Sequence, residues 1–302
     1  MSAPLMMICA TFLFASMGVC VKLASAFYDA GEIVMYRGLI GAVLIGTFTL
    51  LRGQSLRTTV PALHFWRSLS GVFALSLWFY AIGKLPLATA MTLNYMSSVW
   101  MALFLIGGAI MMGSARVDSR LVAAVLLGFV GVAMVLRPTL DQQQLWHGMA
   151  GLLSGMLAAL AYLQVTALGR AGEPEYRIVF YFSLGGAIAG AISTLALSWS
   201  ENSPPHGHGL KGAALLLAVG LLATAAQVLM TRAYAQGKTL AIACLQYLGI
   251  VFSFLYGALL FQDPITPWAL GGMVLIIIAG VAATLLRASS TPPDSQHTVN
   301  ES

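Results

Sequence analysis

Charged residues and turn formers cut the 302-residue chain into apolar segments of roughly 17 to 25 residues, and this spacing restricts the fold more than any other feature. A helix needs about 20 apolar residues to cross about 30 Å of hydrocarbon, so each segment can span a bilayer. Ten such segments occur, over residues 3–24, 32–51, 66–84, 88–112, 120–136, 148–169, 177–199, 211–233, 240–262 and 267–286. Stretches such as 121–136 and 269–286 are continuously apolar rather than alternating, which excludes a β-barrel. Helices satisfy their own backbone groups in hydrocarbon. The expected fold is therefore an all-α integral membrane protein with ten transmembrane helices.

Composition agrees. Only 8% of residues are Asp, Glu, Lys or Arg, whereas soluble domains carry about a quarter. The net charge is +5, but the basic residues are scattered singly and form no stripe of the kind that binds nucleic acid. The lipid bilayer is the expected partner, with no nucleic acid. Cys9, Cys20 and Cys244 all lie in apolar stretches with no CxxC spacing, so neither a disulfide nor a metal centre is indicated. Nothing basic precedes Lys22, and the first segment reads as a retained span.

With ten spans, the even-numbered loops and the C-terminal tail share one side. They hold Arg52, Arg57, Arg67, Arg116, Arg120, Arg170, Arg177, Arg232, Lys238 and Arg287; the opposite side has Lys22, Lys84, Arg137 and Lys211. This bias places both termini in the cytoplasm. Trp66, Trp146, Trp199 and Trp268 fall near span ends, as an interfacial aromatic belt requires.

The chain also repeats itself. Tyr80-Ala81-Ile82-Gly83-Lys84 runs into Leu87-Ala88-Thr89-Ala90 and Leu93-Asn94-Tyr95; Tyr234-Ala235-Gln236-Gly237-Lys238 runs into Leu240-Ala241-Ile242-Ala243 and Leu245-Gln246-Tyr247. Gly131-Val132-Ala133 and Gly280-Val281-Ala282 echo each other in the fifth and tenth segments. Two five-helix halves follow, residues 1–140 and 147–287, joined by a polar linker near 138–147 and followed by a disordered cytoplasmic tail, 288–302. Five is odd, so the second half enters the membrane from the other side and the repeats are inverted. Inverted repeats with a site at their midplane interface are the architecture of secondary transporters.

These motifs, in this order and in double occurrence, make the chain similar to the EamA-type transporters of the drug/metabolite transporter superfamily. Lys22 late in the first span, Arg37 early in the second, and Leu259-Leu260-Phe261-Gln262-Asp263 closing the ninth add to the resemblance. It implies an inner-membrane carrier of a small organic metabolite. The central cavity would be lined by spans one to four and six to nine, with spans five and ten peripheral. Two departures stand out. No acid closes the fourth span, and spans four and nine lack the proline common in such families. Thr92 through Trp100 is similar to branches that include riboflavin and S-adenosylmethionine carriers. The substrate class stays open among vitamin, nucleoside-like and amino-acid-like molecules.

Polar groups facing lipid unpaired cost several kcal/mol, so intramembrane ones are the site candidates. Arg37 offers a charge for an anionic group, or snorkels to the headgroups. Asn94 and Gln246 occupy equivalent places, each followed by a tyrosine, Tyr95 and Tyr247; amides could bind a polar ligand while rings stack on a planar one, or both could bond between helices. Gln164, Gln227, Trp78 and Trp100 are further candidates for the cavity wall. Ser97 and Ser98 stand where a helix breaker is expected. Gly151-x-x-x-Gly155 and Gly186-x-x-x-Gly190 signal close helix packing.

All carboxylates read as lying in loops, tails or at span ends, and all five histidines, His64, His147, His206, His208 and His297, as lying outside the spans, which leaves no buried proton relay. Uniport or exporter-type facilitation, with coupling through the substrate's own charge, is the expectation. No cofactor is indicated, and one chain contains both repeats, so no oligomer is required. The competing reading is an integral-membrane enzyme acting on a lipid or isoprenoid. It needs a cluster of ligands or nucleophiles at one face, for which only His206-Gly207-His208 is a hint.

Overall fold

Helices form every regular element among the described residues. In the computed structural model these are residues 1–111, 142–201, 209–236, 245–263 and 266–289, with 120, 123, 126–128, 130, 131, 134 and 242. In chain order the helices are α1 (Ala3–Ala24), α2 (Ala30–Leu51), α3 (Pro61–Lys84), α4 (Leu87–Tyr95) and α5 (Ser97–Met111), then α6 (Gln142–Arg170), α7 (Glu175–Glu201), α8 (Leu210–Gln236), α9 (Leu248–Leu260) and α10 (Pro267–Ser289). Six of them, α1, α2, α3, α6, α7 and α8, are long and apolar enough to cross a bilayer, and α9 and part of α10 are shorter apolar helices. The chain is an all-helical membrane protein.

Local chemistry sets the helix starts. The Asp29 amide donates to Glu32 Oε2 at 3.1 Å, which satisfies an orphan donor at the head of α2. Pro61 occupies the first turn of α3, where its missing N–H costs nothing, so α3 begins five residues before the expected 66. His64 and Arg67 are thereby inside the helix rather than in the loop before it. Similarly α6 starts at Gln142, within the stretch expected to be a linker, and α10 runs on to Ser289. The remainder of the expected tail, His206-Gly207-His208 and most of the expected fifth span lie outside the described residues.

The fourth apolar segment is two helices. The backbone turns at Met96, whose N–H is shared between Thr92 O at 3.2 Å and Leu93 O at 3.3 Å. No proline is needed for the break. The chain turns again at Gln246 and Tyr247, just ahead of α9. Both interruptions therefore fall immediately after, or at, the repeated amide-tyrosine step.

Packing runs between early and late parts of the chain. α2 lies along α7, α3 along α6, α1 along α8, and α9 against α1 and α4. Glycines permit these approaches: a Cβ on Gly38 would strike the backbone of Ala187, one on Gly190 the backbone of Met35, and one on Gly155 would stand 2.6 Å from Leu93 O. Large apolar side chains such as Val43, Leu195 and Val274 point outward, where hydrocarbon covers them. Trp66, Trp146, Trp199 and Trp268 are exposed and sit near helix ends, the placement an interfacial aromatic belt has.

Candidate functional site

One face of α3 presents Arg67, Gly71, Ala74, Leu75 and Trp78, the spacing that brings residues onto a single helical stripe. Ala158, Ala161 and Tyr162 of α6 face it. Phe14 of α1, Arg37 of α2, Asn94 of α4, Phe182 of α7 and Gln227 of α8 complete the wall. Together they bound a narrow cavity in the bundle, of about 50 Å³.

Two guanidiniums dominate it. Arg37 is 4% and Arg67 2% exposed, and both lie against the ring of Phe182, at 5.1 and 4.1 Å from its centroid. Their carbons are therefore within about 9 Å of each other, the sum of those two distances. Arg37 Nε and Arg67 Nε and Nη1 have no hydrogen-bond partner on the protein, nor do Gln227 Nε2 and Trp78 Nε1. No Asp or Glu is among the described lining residues. Asn94 is engaged: its Nδ2 donates to Ser154 Oγ at 3.0 Å, and that hydroxyl donates to Gly151 O at 2.6 Å. Tyr162 stacks on Tyr234, with ring centroids 5.6 Å apart and planes inclined by 22°.

Of the residues expected from the sequence, Arg37, Trp78, Asn94 and Gln227 reach this cavity; Tyr95, Trp100, Gln164, Gln246 and Tyr247 do not. Arg37 turns inward rather than snorkelling. Tyr95 is buried over Gly249, where an added Cβ would come 2.6 Å from its ring, so its place is the packing of α4 on α9. Trp100 is half-buried beside Phe104, with centroids 6.3 Å apart. Gln164 accepts from Ser70 Oγ at 2.8 Å between α6 and α3. Gln246 is buried with its Nε2 directed at Met230 Sδ, 3.8 Å away, and Tyr247 is buried near it in the chain; neither lines the cavity. The side chain of Ser98 is outside the description.

Arg67 is a correction. It lies in α3 and not in the loop on the basic side, and without it the basic residues stand at nine against four. Its signal was Pro61, which marks an earlier helix start. Tyr162 and Phe182 carry no signal in the sequence, because an aromatic ring in an apolar segment is compatible with lipid and with a cavity wall alike.

His64 is a second correction. It lies in α3, 3% exposed, with Nε2 3.1 Å from Glu173 Oε2. Thr58 Oγ1 donates to Glu173 Oε1 at 2.8 Å and Arg177 Nη1 to Oε2 at 3.0 Å. Arg177 Nη2 also donates to Ser55 O at 2.9 Å, and the Tyr181 hydroxyl to Leu56 O at 3.0 Å. The loop between α2 and α3 is thus tied to the loop between α6 and α7. Burial pushes the Glu173 carboxyl up, but donation from Thr58, Arg177 and His64 outweighs it and holds the group below its ordinary range.

A smaller tether closes the other end of α3, about 36 Å away for a helix of 24 residues at 1.5 Å each. Lys22 does not snorkel to the headgroups. Instead its Nζ donates to Leu85 O at 2.8 Å and stands 4.0 Å from Asp263 Oδ1. The Leu87 amide donates to Asp263 Oδ2 at 3.0 Å.

The arrangement has relatives. A crystal structure described only as that of a protein superposes with a TM-score of 0.68, over 96% of this chain and 99% of its own, at 19% identity, a likeness of fold alone. The Pseudopaline exporter CntI of Pseudomonas aeruginosa is 34% identical over 282 residues, 93% of this chain and 95% of that protein. The S-adenosylmethionine uptake transporter of Rickettsia felis is 22% identical, covering 82% of this chain and 80% of its own. Residues 1–137 match the EamA-like transporter family. With that match over the first part of the chain and a third of positions shared with an exporter along nearly all of it, the protein belongs to the EamA-like transporters of the drug/metabolite transporter superfamily.

Proposed function

We propose that the protein is a secondary carrier of the inner membrane that exports a small organic metabolite by alternating access. The observation that carries this reading is the cavity itself. Early helices supply Phe14, Arg37, Arg67, Trp78 and Asn94; late ones supply Tyr162, Phe182 and Gln227. A site shared across the chain in this way changes shape when one set of helices rocks against the other.

The proposed topology is ten crossings in two inverted five-helix repeats, 1–140 and 147–287, with both termini cytoplasmic. Helix pairing supports it. Exchanging the halves turns the α1–α8 contact into the α6–α3 contact and the α1–α9 contact into the α6–α5 contact, and leaves α2–α7 unchanged, as a pseudo-two-fold axis requires. Export rather than import is favoured by the Pseudomonas relative, whose name describes an exporter.

The test is transport by purified protein in liposomes. Counterflow of a metabolite identified by thermal-shift screening is expected, and its absence in correctly inserted protein would refute the carrier reading. For topology, Lys84→Cys and Lys238→Cys are expected to be labelled by impermeant reagent from opposite faces. Labelling from one face rules out the inversion.

A further inference from the structure

We infer that the cavity takes an organic acid carrying two anionic groups, one at Arg37 and one at Arg67. This deepens the carrier reading and rests on it. Two fixed cations share one small space, each nearly fully buried, and no described carboxylate lines the wall to offset them. Guanidiniums remain charged at any physiological pH, so neutralisation must come from a bound molecule.

The donor pattern supports the same conclusion. Every buried polar side-chain atom of the described wall that lacks a partner on the protein is an N–H: Arg37 Nε, Arg67 Nε and Nη1, Gln227 Nε2 and Trp78 Nε1. A ligand rich in acceptors satisfies them, and a diamine or a cation leaves them unmatched. A monoanion offsets one guanidinium and leaves the other buried beside it. Because both cations lie against one ring, within about 9 Å of each other, two acidic groups on a short backbone can reach both.

Gly71 is part of the site. A Cβ there would collide with Arg67 Nη1 and come within 2.9 Å of Phe182 Cε2, so the glycine leaves the room the guanidinium occupies. Gly71→Ala keeps both charges while displacing one of them. Carboxylates and phosphates both suit a guanidinium fork, and the probes below separate them.

The experiment is thermal-shift and binding titration of the full chain in detergent. The probes are succinate, glutarate and 2-oxoglutarate, 3-phosphoglycerate as the phosphate arm, glutaramate as a monoamide, and cadaverine as a dication. At least one dianion is expected to bind, with a monoacid counterpart weaker by about tenfold or more. Arg37→Gln and Arg67→Gln are each expected to erase that preference. Arg37→Lys and Arg67→Lys should retain part of it, which distinguishes charge recognition from misfolding. Gly71→Ala should weaken the dianion with both cations present. Tighter binding of the monoamide or cadaverine than of every dianion, no binding of any dianion, or unchanged preference in folded Arg→Gln variants would overturn the inference. Dianion binding without counterflow in liposomes would refute the carrier reading and leave the site standing. Counterflow of a neutral solute with no dianion binding would do the reverse.

Discussion

His64 and Glu173, 109 residues apart in sequence, meet at 3.1 Å at the N-terminal end of α3. Glu173 is depressed below its ordinary value of 4.5, because the donors around it outweigh the cost of its burial. A depressed carboxyl contributes stability that is complete above its ordinary value and is lost as pH falls through the folded one. The melting temperature is therefore expected to fall on acidification below about pH 4.5, and Glu173→Gln to show a smaller loss across that window. Parallel melting curves for the two proteins would count against the tether. At neutral pH the substitution should cost about 1–3 kcal/mol.

Asn94 and Gln164 separate binding from packing. Asn94→Ala removes a wall residue and leaves Ser154 without its donor, so ligand affinity is expected to fall by about tenfold. Gln164→Ala breaks a bond to Ser70 away from the cavity and should leave affinity unchanged. Titration of both variants with the same ligand decides; equal effects would contradict the assigned wall.

Gly155 brings α6 against the carbonyl oxygens of Leu93 and Asn94, 2.6 and 2.9 Å from where a Cβ would stand. Gly155→Ala is expected to destabilise by about 1–3 kcal/mol through overpacking against backbone. Gly209 has no neighbour within 4 Å of the same position, and Gly209→Ala should stay within about 0.5 kcal/mol of the parent. Denaturation in detergent measures both.

Asp263 accepts the Leu87 amide and faces Lys22. Asp263→Ala leaves that amide unpaired and should cost about 1–3 kcal/mol. Hydrogen exchange at Leu87 is the direct readout, expected to accelerate in the variant and to stay slow if another group replaces the carboxylate.

The polar residues that sequence alone brings to the cavity are those inside long apolar runs, whether early in the run or at its middle. Arg37, Asn94 and Gln227 stand out there because lipid exposure would be costly. Arg67 and His64 were hidden by a boundary. Taking the third span from 66 put His64 before it and Arg67 at its edge, whereas Pro61 had already opened the helix. The amide-tyrosine repeat was visible, but its two copies behave differently: Asn94 reaches the cavity, while Gln246 is turned toward Met230. Local sequence similarity fixes an equivalent place along the helix, and the neighbours decide which way the side chain points.

The tethers at the two ends of α3 are unequal. Glu173 gathers three side-chain donors, whereas Asp263 holds one backbone amide and a longer contact with Lys22. If each must let go in turn during a transport cycle, the strongly latched door opens rarely and the weakly latched one often. The idle protein would then spend most of its time facing the side guarded by Asp263, and loosening Glu173 would redistribute that waiting time.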